Sequence, residues 1–286
     1  MADQNQLDIL RQGGEIWNRW RKQHADIQPN LREADLKGFV LRKIDFSDAD
    51  LYFAELQKVD LSEANFERAS LAGTDLSKAD LSKANLSRSE AWGANLEGAT
   101  LRQANLSDAI FNEANLNQTD LRDADLSRAN LIFATLSHAN ISGANLTGAD
   151  LSGADLQDVI VQGTTFEGAN LSMAYLVGAD LSHIDLSKAH LVGAYLRGAN
   201  LTGANLKKAN FNKANADWID SGGEPEQADL REANLSGADL SYADLRTARL
   251  DRANFKGTNL SGANLRGVDL THVDLSEANL TGAIFE

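Results

Sequence analysis

The sequence predicts an all-β solenoid with a short N-terminal helical cap, on three observations. A central residue, usually Leu, recurs every five positions from Leu31 through Leu36, Leu41 and Phe46 to Ala216, giving 38 units without a slip. The unit is most regular in Ala144-Asn145-Leu146-Thr147-Gly148-Ala149-Asp150-Leu151-Ser152-Gly153-Ala154-Asp155-Leu156, where Ala, Asp or Asn, Leu, a small polar residue and Gly follow without a gap. Period five, finally, fits neither regular element. On a straight helix five residues advance by roughly 500°, which scatters the leucines around the cylinder. In a flat strand an odd period sends successive leucines to opposite faces. All of them point inward only if the chain turns a corner once per unit and winds around an apolar column.

Composition agrees with a narrow core. Only 6% of the 286 residues are aromatic, while Ala and Leu dominate, and a repeat array grows by adding coils rather than by enlarging one core. With no cysteine the chain has no disulfide and no thiolate nucleophile. The formal charge of -14 lies wholly beyond residue 28, because residues 1–28 hold four acids and four bases. Asp precedes the central residue in 17 units and Asn in 19, and both side chains hydrogen-bond nearby backbone at turns, so the motif itself accounts for much of the acidity. Direct binding of nucleic acid is not expected of such a chain. Met1 to Leu10 lacks the basic-then-apolar order of a signal peptide, and no apolar run approaches a membrane span, so a soluble cytoplasmic protein is expected.

Residues 1–30 stand outside the repeat. After a Gly13-Gly14 break, Ile16, Trp17 and Trp20 fall on one side of a predicted helix, with Arg19, Arg21 and Lys22 largely elsewhere. A basic amphipathic helix of this kind suits a membrane surface or a partner helix. It equally suits a cap over the first coil, whose strand edges and core would otherwise be bare. The cap is the reading adopted, since the segment carries no net charge and Pro29 leads straight into the first unit.

From Leu31 onward, units such as Ala79-Asp80-Leu81-Ser82-Lys83 and Ala199-Asn200-Leu201-Thr202-Gly203 resemble the pentapeptide repeat family, whose consensus is Ala-(Asp/Asn)-Leu-x-x. The resemblance covers residues 29–216 and 228–286, and Trp17-Asn18-Arg19-Trp20-Arg21 with Pro29 and Leu31 is similar to the leader of cyanobacterial members. It implies a right-handed quadrilateral β-helix with four units per coil, the Ala and Leu positions inside and the other three outside. The expected domains are a cap over 1–30 and a repeat domain over 31–286, interrupted by a loop at 217–227.

Departures from the consensus carry the specific information. Taking every fourth unit as one face, the first face collects Tyr52, Phe53, Trp92, Ile132, Phe133, Met173 and Val192. The first sites lie about two coils apart, which makes an apolar stripe with gaps of roughly 10 Å, a candidate partner surface. Ala91 and Phe111 occupy successive layers of that face, where a small core residue makes room for a large one. Tyr175 and Tyr195 stack on the second face as a stabilising pair. Summed over residues 29–218, the four faces carry -3, -3, -1 and -1, so there is no acidic stripe.

The repeat breaks once, at Asp217-Trp218-Ile219-Asp220-Ser221-Gly222-Gly223-Glu224-Pro225-Glu226-Gln227, and central residues resume at Leu230. Gly222-Gly223 and Pro225 favour a projecting loop, in which Trp218 and Asp220 are interaction candidates. If the loop replaces no unit, Tyr242 returns to the first face. Twelve further units end at Phe285 with no evident capping helix, which makes end-to-end homodimer formation through the C-terminal coil an expectation and Phe285 its candidate contact.

Catalytic constellations are absent. The histidines at 24, 138, 183, 190 and 272 show no metal-ligand spacing, the serines lack a paired His and Asp, and the Gly-rich units lack the Lys of a phosphate-binding loop. The expectation is a non-enzymatic rigid scaffold without cofactor or metal, binding a protein partner. The family resemblance supplies the alternative, a DNA-mimicking modulator of DNA gyrase or another type II topoisomerase, which the even charge distribution weakens.

Overall fold

The protein's structure, a computed structural model, describes residues 1–214 and 228–286. It falls into two compact units, Met1–Asn145 and Leu146–Glu286. Within each, residue i bridges residue i+20 in parallel: Asp50 to Ser70 and Ser70 to Glu90 in the first, Asp150 to Asn170 and Asn170 to His190 in the second. Because the sequence unit is five residues, each coil holds four of them. Stacked units share three backbone hydrogen bonds. Leu81 N–H donates to Thr100 O at 2.7 Å, Lys83 N–H to Arg102 O at 2.8 Å, and Thr100 N–H to Ala79 O at 2.9 Å.

Each corner is a four-residue turn. In Leu81-Ser82-Lys83-Ala84 the Ala84 N–H returns to Leu81 O at 2.9 Å, and Lys83 has φ 59°. A positive φ at the third position is the mark of a type II turn. The same conformation holds non-glycine residues from Glu33 (φ 59°) to Arg252 (φ 60°), at roughly 1–2 kcal/mol for an L-residue. The ladders fixing both sides of the corner offset that cost.

The Asp or Asn before the central residue supports the turn. Asp80 Oδ1 accepts from Ser82 N–H at 2.9 Å, and Asn85 Oδ1 from Ser87 N–H at 3.2 Å. Asn adds what Asp lacks, a donor. Asn65 Nδ2 reaches Asp45 Oδ1 at 3.1 Å, Asn85 reaches Asn65 at 3.1 Å, and Asn105 reaches Asn85 at 3.2 Å, forming an amide ladder along one face. Asp can start such a ladder but cannot continue it, a physical reason for the motif's tolerance of both residues.

The central leucines and the alanines two places before them fill the interior of each unit. Where Thr replaces Ala its hydroxyl is satisfied, Thr74 Oγ1 donating to Leu51 O and Thr258 Oγ1 to Leu235 O, both at 2.8 Å. Ala91 and Phe111 are both fully buried on adjoining coils, Ala91 N–H donating to Ile110 O at 2.7 Å, in keeping with small-against-large packing.

Two helices, α1 (Gln4–Leu10) and α2 (Gly14–Gln23), cover the start of the first unit. Their side chains take the place of a preceding coil. Trp17, fully buried, donates Nε1 to Asp45 O at 2.7 Å and meets the Phe46 ring edge-on at 5.6 Å. Asn18 accepts from Asp45 N–H and donates to Lys43 O, both at 2.8 Å. At the first unit, Gln6 Oε1 accepts from Asn30 N–H at 2.7 Å. Arg21, expected on the outer side, is instead buried, its guanidinium donating to Ile27 O and Ser47 O at 2.8 Å each, while Ile16 is exposed. The basic residue is drawn in because the first coil offers carbonyls with no ladder partner.

Across the interruption the bridge spacing becomes 29, Asn200 to Asp229 and Asn210 to Asp239, and then returns to 20. No unit is skipped, so Tyr242 stands on the face of Phe211 and Met173. In the last coil Leu270, Leu275 and Leu280 are only half-buried, whereas Leu250, Phe255 and Leu260 below them are closed off. Among the described residues no helix is long and apolar enough to cross a membrane.

Candidate protein-interaction surface

The type II corner decides which side chains reach solvent. Of the two residues that follow each central residue, the second lies in the left-handed conformation, and its side chain leans toward the next coil. Phe53 (φ 53°) shows the consequence. Its ring lies over Gly73, so that a Cβ there would sit 2.7 Å from the ring. The same seating recurs in the second unit, where Met173 Sδ is 2.6 Å from the Cβ position of Gly193, and Tyr242 is 2.7 Å from that of Gly262. His183 lies over Gly203 in the same way, at 2.5 Å. Each of these four corner side chains is matched by Gly twenty positions later.

On the coils of the first unit five large apolar side chains are exposed: Val40, Phe53, Trp92, Ile110 and Phe133. All but Val40 lie on one face. Trp92 is 47% exposed and Phe133 62%. Tyr52 and Ile132, also predicted for this surface, are half-buried on the same face. Tyr52 packs edge-on against Phe53 at 4.4 Å and carries Arg32 over its ring at 4.3 Å, with Arg32 paired to Asp50 at 3.0 Å. That cluster forms one end of the strip. Between it and Phe133 the outward residues are Gly73, Trp92, Gly93, Ile110, Asn112, Glu113 and Ile132, interrupted by Ser70, Glu90 and Asn130, while Ala72 is buried. Ile110, 38% exposed, was not among the expected contacts. It stands before Phe111, in the position usually held by Asp or Asn, and a search confined to the two residues after each centre passes over it. Its signal was an apolar residue in a polar slot.

Flanking carboxylates are held ionised by hydrogen bonds. At Asp75 burial pushes the carboxyl upward, but Gln57, Ser77 and Asn95 together draw it below the usual range. Asp48, beside the face, is lowered by the Arg68 guanidinium, which donates Nε at 2.7 Å and an Nη at 2.9 Å.

Met173 belongs to the second unit and has no apolar neighbours of comparable exposure on its own face until Tyr242. The Tyr175 and Tyr195 rings stack at 4.7 Å with 8° between planes, the stabilising pair that the sequence implies. Phe285 is 41% exposed beside Ile284 at 39%. Trp218 and Asp220 lie outside the described residues. Among the described residues no group of three or more His, Asp or Glu side chains could hold a metal ion.

Comparison with a family model agrees with the repeat. The model of pentapeptide repeats matches in overlapping segments from 30–68 to 179–215, and again over 226–251 and 248–286. No curated protein gives a significant match. Among solved structures the chain is similar to HetL, a pentapeptide repeat protein involved in heterocyst differentiation regulation from the cyanobacterium Nostoc sp. strain PCC 7120, at 31% identity over 94% of this chain and 92% of that one, with a TM-score of 0.30. Rfr23 from the cyanobacterium Cyanothece 51142 shares 43% identity over 32% of this chain and 58% of its own, with a TM-score of 0.28. QnrB1, a plasmid-mediated fluoroquinolone resistance protein, shares 16% identity over 76% of this chain and 91% of its own, with a TM-score of 0.33. With family-model matches along almost all of its coils, the chain belongs to the pentapeptide repeat family.

Proposed function

We propose that this chain is a non-catalytic scaffold that binds another protein through the apolar face of its first unit. One observation carries the reading: of the five large apolar side chains exposed on those coils, four share a face. Apolar side chains clustered on a rigid surface mark interaction sites, whereas scattered ones do not. Phe53 and Trp92 are held by the coil rather than by a loop, which lowers the ordering cost of binding. HetL, similar over nearly the whole chain, is itself described as involved in regulation of differentiation, in keeping with a regulatory protein contact here.

Affinity capture with the full chain from its native cell tests the proposal. Trp92→Ala and Phe133→Ala are expected to lose a partner that wild type and Lys83→Ala, a change on another face, retain. An aromatic anchor at the centre of an interface is worth about 2 kcal/mol or more, a loss of roughly 30-fold in affinity. If neither change alters any captured protein, the face is not the binding surface. A DNA-mimicking action on gyrase draws on the charge of -14. It stands second because much of the acidity is tied up in turns and cross-coil pairs, and unaffected supercoiling at micromolar protein removes it.

The half-open inner residues of the last coil favour end-to-end association of two copies through Phe285 and its neighbours. Asp269, Asp274, Glu277 and Glu286 rim that coil against Lys256, which pairs with Glu277 at 3.5 Å, so the rim stays negative and such a dimer strengthens with salt. A monomer by light scattering in both low and high salt at high protein concentration excludes it.

A further inference from the structure

Among the described residues, and within each of the two units, the ladder of backbone hydrogen bonds fails completely at one place. Between the unit centred on Val161 and the unit stacked on it, centred on Leu181, the regular pattern calls for three bonds: Val161 N–H to Asp180 O, Gly163 N–H to Ser182 O, and Asp180 N–H to Val159 O. None is made, and the bridge from Ile160 to Asp180 is missing too. The neighbouring faces of the same two coils stay paired, Leu156 N–H donating to Tyr175 O at 2.9 Å and Phe166 N–H to Asp185 O at 2.8 Å. Among the described residues two other stacked pairs within a unit lack their bridge, Leu41 with Leu61 and Leu250 with Leu270, but each keeps one corner bond, from Lys43 N–H at 2.9 Å and from Arg252 N–H at 3.3 Å.

The sequence supplies a cause. Val159 replaces the small inner Ala, Val161 replaces the larger central Leu, and Ile184 replaces the next Ala of the facing coil, so the interior is crowded where it should be narrow and thin where it should be full. The result is a cleft of about 500 Å³ lined by Val159, Ile160, Val161, Gln162 and Gly163 on one lip, and by Asp180, Ser182, His183 and Ile184 on the other. Its apolar members Val159, Val161 and Ile184 are buried, and Ile160 is 53% exposed at its edge.

The chemistry of the occupant follows from what the lips offer. The Asp180 carboxylate is already engaged, accepting from Ser182 N–H at 3.2 Å and from Asn200 Nδ2 at 2.9 Å, and His183 leans away over Gly203. No Lys or Arg lines the cleft, so nothing there recognises an anion. What remains free is peptide backbone, with N–H donors two residues apart at Val161 and Gly163 on one lip, and carbonyls two residues apart at Asp180 and Ser182 on the other. Val159-Ile160-Val161 is a β-branched run of high strand propensity that leads into the corner, where Thr164 N–H closes on Val161 O at 2.9 Å, so the free donors at Val161 and Gly163 match a backbone that runs extended and then turns.

We propose that this cleft is a docking site for a short peptide segment of a partner protein, about five residues long, that runs extended beside Val159 to Val161 and bends with the corner at Gly163. The segment pairs by backbone hydrogen bonds along Val159 to Gly163 and sets an apolar side chain against Ile160. This site lies on the second unit and is independent of the apolar face of the first.

The test uses the full chain, a library of acetylated and amidated pentapeptides, and amide hydrogen exchange. Wild type is expected to select peptides rich in uncharged β-branched residues, and their binding is expected to slow exchange at Val161 and Gly163 at least tenfold. Val159→Ala combined with Val161→Leu restores the repeat consensus. It should close the cleft, protect the same amides without peptide, and abolish selection. Ile160→Asp keeps both lips and is expected to weaken selected peptides at least tenfold, which keeps the test intact if the double variant does not fold. The proposal is overturned if those amides are already protected in unliganded wild type, if no peptide slows their exchange, or if Ile160→Asp binds the selected peptides as well as wild type.

Discussion

At the scale of the residue, the corner position explains why exposed apolar side chains occur where they do. Phe53 is accommodated because Gly73 leaves its ring a seat, and the fit has two separable parts. Gly73 has φ 63° and its Cβ position meets the Phe53 ring, whereas Gly93 has φ 61° with nothing within 4 Å of its Cβ position. Gly93→Ala therefore measures the backbone part alone, about 1 kcal/mol. Gly73→Ala is expected to cost about 1 kcal/mol more, because the ring must swing off its seat. In a Phe53→Ala background the excess should vanish, and a double-mutant cycle in denaturant melts reads that coupling. Equal costs for the two glycines would mean that the ring is not seated. The pairing was open to view in the sequence: Phe53 with Gly73, Met173 with Gly193 and Tyr242 with Gly262 are spaced twenty and twenty only. Grouping residues by face gathers the apolar members and hides the glycines that complete them, since a glycine adds nothing to a stripe.

At the scale of the element, period five excluded helix and strand without further help, and an inward-facing leucine once per corner led directly to a solenoid. The number of corners per coil did not follow from the period, and only the bridges from i to i+20 within each unit establish four. The leader was legible as a cap from its tryptophans but not in its chemistry, since nothing in the order of residues 17–21 says that Asn18 and Arg21 will supply hydrogen bonds in place of a coil. Register beyond the interruption is likewise not set by the order of residues, and the bridge from Asn210 to Asp239 fixes it. The cleft at Val161 was hidden because Val for Leu and Val for Ala each look conservative, and only their opposite volume changes in one unit open the coil. In a repeat array stability is approximately a sum of nearest-neighbour terms, so damage to the cap should stay local. Trp17→Ala removes a fully buried side chain and the donor to Asp45 O, at about 3–5 kcal/mol. Hydrogen exchange is expected to quicken at residues 31–66 and to stay unchanged at residues 101–125. Uniform loss of protection across the first unit would show that its coils unfold as one.

At the scale of the whole molecule two electrostatic effects oppose each other, and pH separates them. Many acids are favourably placed. Asp48 and Asp108 are lowered first by hydrogen bonds from Arg68 and Arg128, one coil on, and Asp60, Asp269 and Asp274 by hydroxyl and backbone donors at their own turns. A carboxyl whose folded pKa lies below its unfolded value of 3.8 contributes stability above that value and loses it as pH falls through the folded one. Acid is therefore expected to destabilise the protein from about pH 4 downward. At neutral pH the surplus of -14 works the other way, through repulsion that no local pair relieves. The ion pairs that salt would weaken are exposed, such as Arg128 with Asp108 at 63% and 36% and Arg252 with Glu232 at 77% and 54%, and such pairs contribute little. Hydrogen bonds from backbone N–H groups to Asp and Asn side chains at the turns depend weakly on screening. Repulsion consequently outweighs pairing, and raising NaCl from about 10 mM to 300 mM at pH 7, which shortens the screening length from about 30 Å to under 10 Å, should raise the Tm by a few degrees. At the sequence pI of about 4.8 the net charge is near zero and the same addition should have little effect. A Tm that falls with salt at pH 7 would instead assign the cross-coil pairs a larger share of stability than their exposure allows.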